Sequence, residues 1–189
     1  EGEPLPSADG SAGFQKDADG NVVLSSLRED PLRTLALETG GAFIRAEGFV
    51  FSAVADEGVL ASADAGPLLR YRRQIGAEGV LVAVDIRKKH SSHALTHGLD
   101  VAAHARAAEF FGAEALIVTG RATSHGDLRA VREASSLPLI VGSGATPNTL
   151  PMLLEVADAV IVGSALKRDG HWASPLDPAR LDAMVRARA

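Results

Sequence analysis

Six short runs rich in Val, Ile, Leu and Ala punctuate the chain, at 21–26, 42–46, 80–84, 115–118, 137–141 and 159–162. Most lack polar alternation, as do strands buried on both faces of a parallel sheet. Between and after them lie stretches with a helical period, at 31–38, 66–75, 100–111, 126–134, 146–155 and 178–188. Asp30-Pro31, Thr146-Pro147 and Asp177-Pro178 each set a capping residue ahead of a proline, a pattern that starts helices. Leu99, Ala102, Ala103, Arg106 and Phe110, at and within 100–111, follow a helical period with the apolar positions on one side. Strand and helix alternating in this way predict βα units around a parallel sheet. The longest intervals follow the second and third runs, and long βα loops carry function.

Two α/β architectures fit this order. A doubly wound sheet binds ligands where its strand order reverses. A (β/α)8 TIM-type barrel needs eight strands and about 250 residues, more than the 189 present. Length favours the first, and the motifs below favour the barrel, here incomplete, with about six βα units. Residues 1–20 are rich in Gly, Pro, Ser and Asp and read as a polar arm ahead of a domain spanning 21–189. The net charge of −5 disfavours broad attraction to nucleic acid. No cysteine is present, so disulfides and thiolate metal sites are excluded. No apolar run approaches the ~20 residues of a membrane span, and no leader is visible; the expected location is cytoplasmic.

Candidate chemistry gathers where strands end. The run 137–141 leads into Gly142-Ser143-Gly144-Ala145-Thr146-Pro147, and the next run leads into Gly163-Ser164. Glycines let a backbone approach an anion. In barrels the loops after the last two strands, with a short extra helix, hold phosphate; 165–167 is placed to begin that helix. Gly142, Ser143, Gly144, Gly163 and Ser164 are therefore candidate phosphate ligands.

The run 80–84 ends in Asp85-Ile86-Arg87-Lys88-Lys89-His90. A carboxylate at that position points into a barrel mouth, and a neighbouring Lys offsets the cost of burying it. Asp85 and Lys89 are candidate acid/base partners, with His90 as a second proton carrier. Arg45 and Glu47 lie two apart and share one side of an extended strand; Glu47 joins the catalytic candidates and Arg45 the ligand-binding ones. Thr119 and Gly120 form a small-residue rim after the fourth run. His93 and His97 would share a helix face, with Asp85 or Asp100 as a further metal ligand, but Ser91-Ser92 and Gly98 read as loop and no metal is expected. His104 and His125 read as surface residues.

These segments together carry a resemblance. Phe43-Ile44-Arg45-Ala46-Glu47-Gly48-Phe49-Val50-Phe51-Ser52, Leu69-Arg70-Tyr71-Arg72, Asp85 through Ala94, Ile117-Val118-Thr119-Gly120, Val141-Gly142-Ser143-Gly144 and Val162 through Lys167 resemble, in order, the BtpA/SgcQ family. The resemblance implies a barrel of the ribulose-phosphate-binding type, in which the six runs are the third to eighth strands. It brings a genetic link to photosystem I biogenesis but no assigned reaction or cofactor. Ala53 and Arg121 depart from the family pattern, and the loop after Thr123 is short. Two functions follow as expectations. One is an enzyme acting on a small phosphorylated metabolite or nucleotide-like ligand, as a lyase, isomerase or hydrolase. The other is a non-catalytic assembly factor acting through protein contacts. A partial barrel with exposed sheet edges would also form a homo-oligomer.

Overall fold

Side-by-side burial of five of the six runs organises most of this protein. The computed structural model describes residues 3–4, 24–25, 43–55, 58–60, 63–87, 91–119 and 124–188. They fall into two units, 1–42 and 43–189. In the first, β1 (Glu3–Pro4) pairs antiparallel with β2 (Leu24–Ser25), so the run at 21–26 contributes to that pair.

The second unit begins with β3 (Phe43–Ala46), followed by a hairpin of β4 (Ala53–Ala55) and β5 (Gly58–Leu60). Helix α1 (Ala65–Gln74), β6 (Leu81–Arg87), β7 (Ser91–Ser92) and α2 (Val101–Phe110) come next. Then follow β8 (Ala115–Val118), α3 (His125–Ala134), β9 (Leu139–Val141), the short α4 (Leu150–Leu154), β10 (Ala159–Val160) and α5 (Pro178–Arg186). The main sheet is parallel throughout, in the order β10-β9-β8-β6-β3. Strands following one another in space as they do in the chain are those of a barrel, here an incomplete one. Among the described strands no reversal of order occurs, so the doubly wound alternative is set aside.

The two faces differ. Val82, Val84, Leu116, Val118, Leu139 and Val141 pack with Val101, Ala105 and Ala108 of α2 and with Leu128 and Val131 of α3. Each fully buried Val or Leu contributes about 1.5–3 kcal/mol. The opposite, inner face is a smaller cluster of Ala83, Ala115 and Ile117 against Ile140 and Ile161.

Three predicted features shift. Strand β6 runs to Arg87, not Val84, with a bulge between Asp85 and Arg87. The helix expected over 146–155 shrinks to Leu150–Leu154, because Thr146 and Thr149 bond each other. The Thr146 N–H donates to Thr149 Oγ1 at 2.9 Å and the Thr149 N–H to Thr146 Oγ1 at 3.2 Å. On α2 the buried stripe is Val101, His104, Ala105 and Ala108, while Phe110 is 84% exposed. Small residues let that helix sit close to the sheet, and Phe110 lies past the sheet contact. The start at Asp177-Pro178 forms a cap: Asp177 accepts from the Ala179 N–H at 3.0 Å.

At the N-terminal ends of the strands, two similar clasps join successive βα units. Glu114, just before β8, accepts from the Val82 N–H of β6 at 2.9 Å and from Arg72 of α1 at 2.5 Å. Arg72 also donates to the Val80 carbonyl. Asp158, just before β10, accepts from the Leu139 N–H of β9 at 2.8 Å and from Arg132 of α3 at 2.5 Å. Arg132 also donates to the Val156 carbonyl. These contacts hold the Asp158 carboxyl below its ordinary range, Arg132 first and the Leu139 N–H second.

Candidate functional site

At the C-terminal ends of the strands the inner face turns polar. Period-two alternation puts Arg45 of β3 and Asp85 of β6 on that face, and Thr119 continues it beyond β8. The three side chains interlock. Both Asp85 oxygens accept from Arg45: Nε donates to Oδ2, and Nη2 to Oδ1 at 2.9 Å. Thr119 Oγ1 donates to Asp85 Oδ1 at 2.8 Å and accepts from Arg45 Nη2 at 3.2 Å. The Asp85 side chain is only 1% exposed, and a bidentate Arg partner makes such burial tolerable. The hydrogen bond to Asp85 pushes the Arg45 guanidinium further toward its charged form, against the opposing effect of its own burial. The charge partner of Asp85 thus comes from the neighbouring strand.

The rim continues with the glycine turns. Strands β9 and β10 are adjacent and parallel, so the turns that follow them leave the same edge of the sheet. Gly142 fits a close approach: a Cβ there would stand 2.2 Å from Thr119 Oγ1 and 2.8 Å from Ile117 Cγ2. Gly144 has φ +82, a conformation L side chains rarely adopt. Among the described residues, a Cβ at Gly144 or Gly163 would meet nothing within 4 Å. Ser164–Leu166 forms a single 3-10 turn, where a short extra helix was expected at 165–167. Around the rim the order is Gly163, Gly142, Thr119, Asp85, Arg45.

Beside this arc lies a small cavity of about 40 Å3 between the 47–53 segment, the end of β6 and α2. Glu47, Phe51, Asp85, His93, Thr96 and His104 contribute to its lining. His104 corrects the sequence reading, since it is only 4% exposed. Its Nδ1–H donates to the Asp100 carbonyl at 2.8 Å, and Nε2 lies 3.2 Å from Thr96 Oγ1. Burial pushes the imidazole below its ordinary pKa, which outweighs the raising effect of the Asp100 hydrogen bond. In the neutral ring Nε2 accepts from the Thr96 hydroxyl. Phe51 and His93 meet this ring edge-on, at centroid distances of 4.9 and 6.2 Å.

A second, antiparallel sheet in the order β5-β4-β7 joins the two long loops of this rim. Val54 and Ala55 pair with Ser92 and Ser91. The segment leading from Asp85 is therefore fastened to the hairpin after β3.

The structure brings Arg45, Asp85 and Thr119 into one cluster, and Glu47 lines the neighbouring cavity, to which residue 85 also contributes. Gly142, Ser143, Gly144, Gly163 and Ser164 stand at the ends of β9 and β10. Lys89, His90 and Gly120 lie outside the described residues. Sequence reasoning missed His93 and His104 as members of this site. The clue was the spacing of His104 from Val101, Ala105 and Ala108, which places it on the buried stripe. Among the described residues no three His, Cys, Asp or Glu side chains converge as metal ligands. No described helix is long and apolar enough to cross a membrane.

The BtpA family model matches residues 15–189. The chain belongs to the BtpA family. Two relatives place it further. An uncharacterized mitochondrial protein of Caenorhabditis elegans is 37% identical, over 88% of this chain and 61% of its own length. The Photosystem I biogenesis protein BtpA of Synechocystis is 33% identical, over 89% of this chain and 60% of its own. The BtpA-family chain therefore spans about three-fifths of the length of these relatives. Among solved structures, 3-hexulose-6-phosphate synthase superposes with a TM-score of 0.52 at 20% identity, over 82% of this chain and 66% of that one. An archaeal fructose 1,6-bisphosphate aldolase gives 0.52 at 16% identity, over 93% and 64%. At these identities the likeness shows a shared TIM-barrel fold.

Proposed function

We propose that this BtpA-family barrel binds a small phosphorylated metabolite at the C-terminal rim of its sheet. Gly142, Ser143, Gly144, Gly163 and Ser164 would hold the phosphate. Arg45, Thr119 and Gly120 would face the rest of the ligand. Asp85, Glu47, Lys89 and His90 would supply acid/base groups for a lyase, isomerase or hydrolase reaction. The observation that carries this reading is the adjacency of β9 and β10, which puts both glycine turns on the rim that holds Asp85. Barrels place their chemistry on that rim. With both Asp85 oxygens engaged by Arg45 and Thr119, its first task is to fix the guanidinium. Proton transfer by Asp85 itself requires a ligand that draws Arg45 away. The fold neighbours are named for work on phosphorylated sugars, which fits this reading.

Calorimetric titration with inorganic phosphate tests the anion site. Gly163→Asp is the decisive variant, because a Cβ there meets no described atom within 4 Å and the added carboxylate would stand where the anion rests. The wild type should bind phosphate and the variant should not, with unchanged thermal unfolding. Equal binding by both would refute the assignment. A second reading, a non-catalytic biogenesis factor, is favoured by the name of the Synechocystis relative. Half-exposed Phe43 and Leu81, paired across β3 and β6, offer apolar surface for protein contacts.

A further inference from the structure

The end of the sheet opposite the candidate site exposes apolar side chains that the core does not use. Helix α2 stops there, and its last residue, Phe110, is 84% exposed, with Phe111 half exposed beside it. Phe43 and Leu81, the first residues of β3 and β6, are half exposed at the same end. Helix α2 has its neighbours in place on both sides. Ser136, just after α3, donates to Glu109 at 2.9 Å, and Arg72 of α1 holds Glu114. The turn from Phe111 to Glu114 links the two apolar pairs, since Glu114 accepts from the Val82 N–H next to Leu81. Single exposed apolar residues are ordinary, but several gathered at one end mark a contact surface. At roughly 200 Å2 for a large apolar side chain, these four offer on the order of 450 Å2. A standard interface takes about 800 Å2 from each partner, a little over half of it non-polar, which is the same amount.

Charge sets this end apart as well. The helix ends and connections at 71–80 and 106–114 carry Arg72, Arg73 and Arg106 against Glu78, Glu109 and Glu114, and so are neutral. The whole chain carries −5. Two copies can therefore meet here without the repulsion that their net charge imposes elsewhere. The Phe110 and Phe111 rings stand at 85° with centroids 5.3 Å apart. Perpendicular rings offer a neighbour both a face and an edge, and aromatic pairs favour edge against face. A two-fold axis beside them supplies that match twice, since each copy brings the same pair. We propose that this face pairs with itself, giving a two-fold dimer of the chain. Phe110 and Phe111 form its apolar centre, and the six charged residues form its polar rim. The two candidate sites then point away from each other, and both stay open to ligand. The dimer holds whichever of the two functions above the rim serves.

Sedimentation equilibrium of the full chain over a concentration series tests this. The wild type should form a species of twice 19.6 kDa. Phe110→Glu should weaken that dimer ~100-fold or more, about 2.8 kcal/mol, as loss of a central aromatic anchor does. Its circular dichroism should match the wild type, because Phe110 belongs to neither core cluster. Leu95→Glu is the control. Leu95 is 70% exposed in the turn Ala94–Thr96 on the opposite rim, and its variant should stay dimeric. The chain has no cysteine, so Phe110→Cys introduces a single thiol. A short bismaleimide should join two copies of that variant and leave Leu95→Cys unjoined. A wild type that is monomeric at every concentration overturns the proposal. So does a dimer that survives Phe110→Glu or dissociates in Leu95→Glu. Growth beyond two copies also overturns it, because a two-fold contact closes on itself. Phe110→Glu should bind inorganic phosphate as the wild type does, which keeps this test separate from that of the anion site.

Discussion

The two ends of the parallel sheet use the same ion pair, arginine with a carboxylate, in different ways. At the N-terminal end, Glu114 and Asp158 each accept a strand N–H as well as an arginine, and Arg72 and Arg132 each donate to a backbone carbonyl. The charges are stitched into main chain. At the C-terminal end, Arg45, Asp85 and Thr119 bond one another through side chains. Side chains can exchange partners at a modest cost, whereas a backbone clasp cannot open without moving a strand. The first arrangement suits holding a fold and the second suits receiving a ligand, the division expected of a barrel's two faces.

The sharpest way to break this contrast is Arg45→Ala. It leaves the buried Asp85 carboxylate with only Thr119, and removal of one partner of a buried pair costs about 3–5 kcal/mol. Urea unfolding should show that loss, and Arg45→Met with Asp85→Leu should recover most of it. A single-variant loss below about 1 kcal/mol would place the pair among ordinary surface bridges. Next in size is Gly142→Ala, which pushes a methyl into Thr119 and Ile117. Overpacking of this kind costs about 1–3 kcal/mol. Gly163→Ala should lie within about 0.5 kcal/mol of wild type. If the two behave alike in thermal unfolding, the close approach at Gly142 is wrong.

At the other end, Asp158→Asn should cost about 1 kcal/mol, because its carboxylate is half exposed and the Leu139 N–H keeps an acceptor. Its lowered pKa gives a pH signature. The contribution is present above the unfolded carboxyl value and fades as pH falls through the lower folded value. The smallest effect belongs to His104, whose lowered pKa favours the neutral ring in the fold. Its contribution is full above the ordinary value of 6.5 and declines as pH drops from there toward the folded value. Stability measured from pH 8 to pH 5 should lose that component in His104→Gln.

Strand positions were legible because runs such as Ala115–Val118 are apolar on both faces and flanked by helical periods. The face of α2 was not. Phe110 is apolar yet ends the helix in solvent, while His104 is polar yet finds a bond for each nitrogen inside. Period-two alternation set Arg45 and Glu47 on one side of a strand, but a single strand does not reveal its partner, so Asp85 was matched with Lys89. Thr146 read as a helix cap and Thr149 as helix interior; instead the two close a turn on each other, and the helix begins after Thr149. The N-terminal clasps left a trace that periodicity does not seek. Ala113-Glu114-Ala115-Leu116-Ile117-Val118 and Ala157-Asp158-Ala159-Val160-Ile161-Val162 repeat one scheme, an acid just ahead of a strand.

The pairing of Val54 and Ala55 with Ser92 and Ser91 has a consequence for redesign. Two excursions that leave different strands end in a common ladder, so neither can be lengthened, shortened or swapped by itself. A graft from another barrel succeeds only when 47–60 and 88–97 travel together as one cassette.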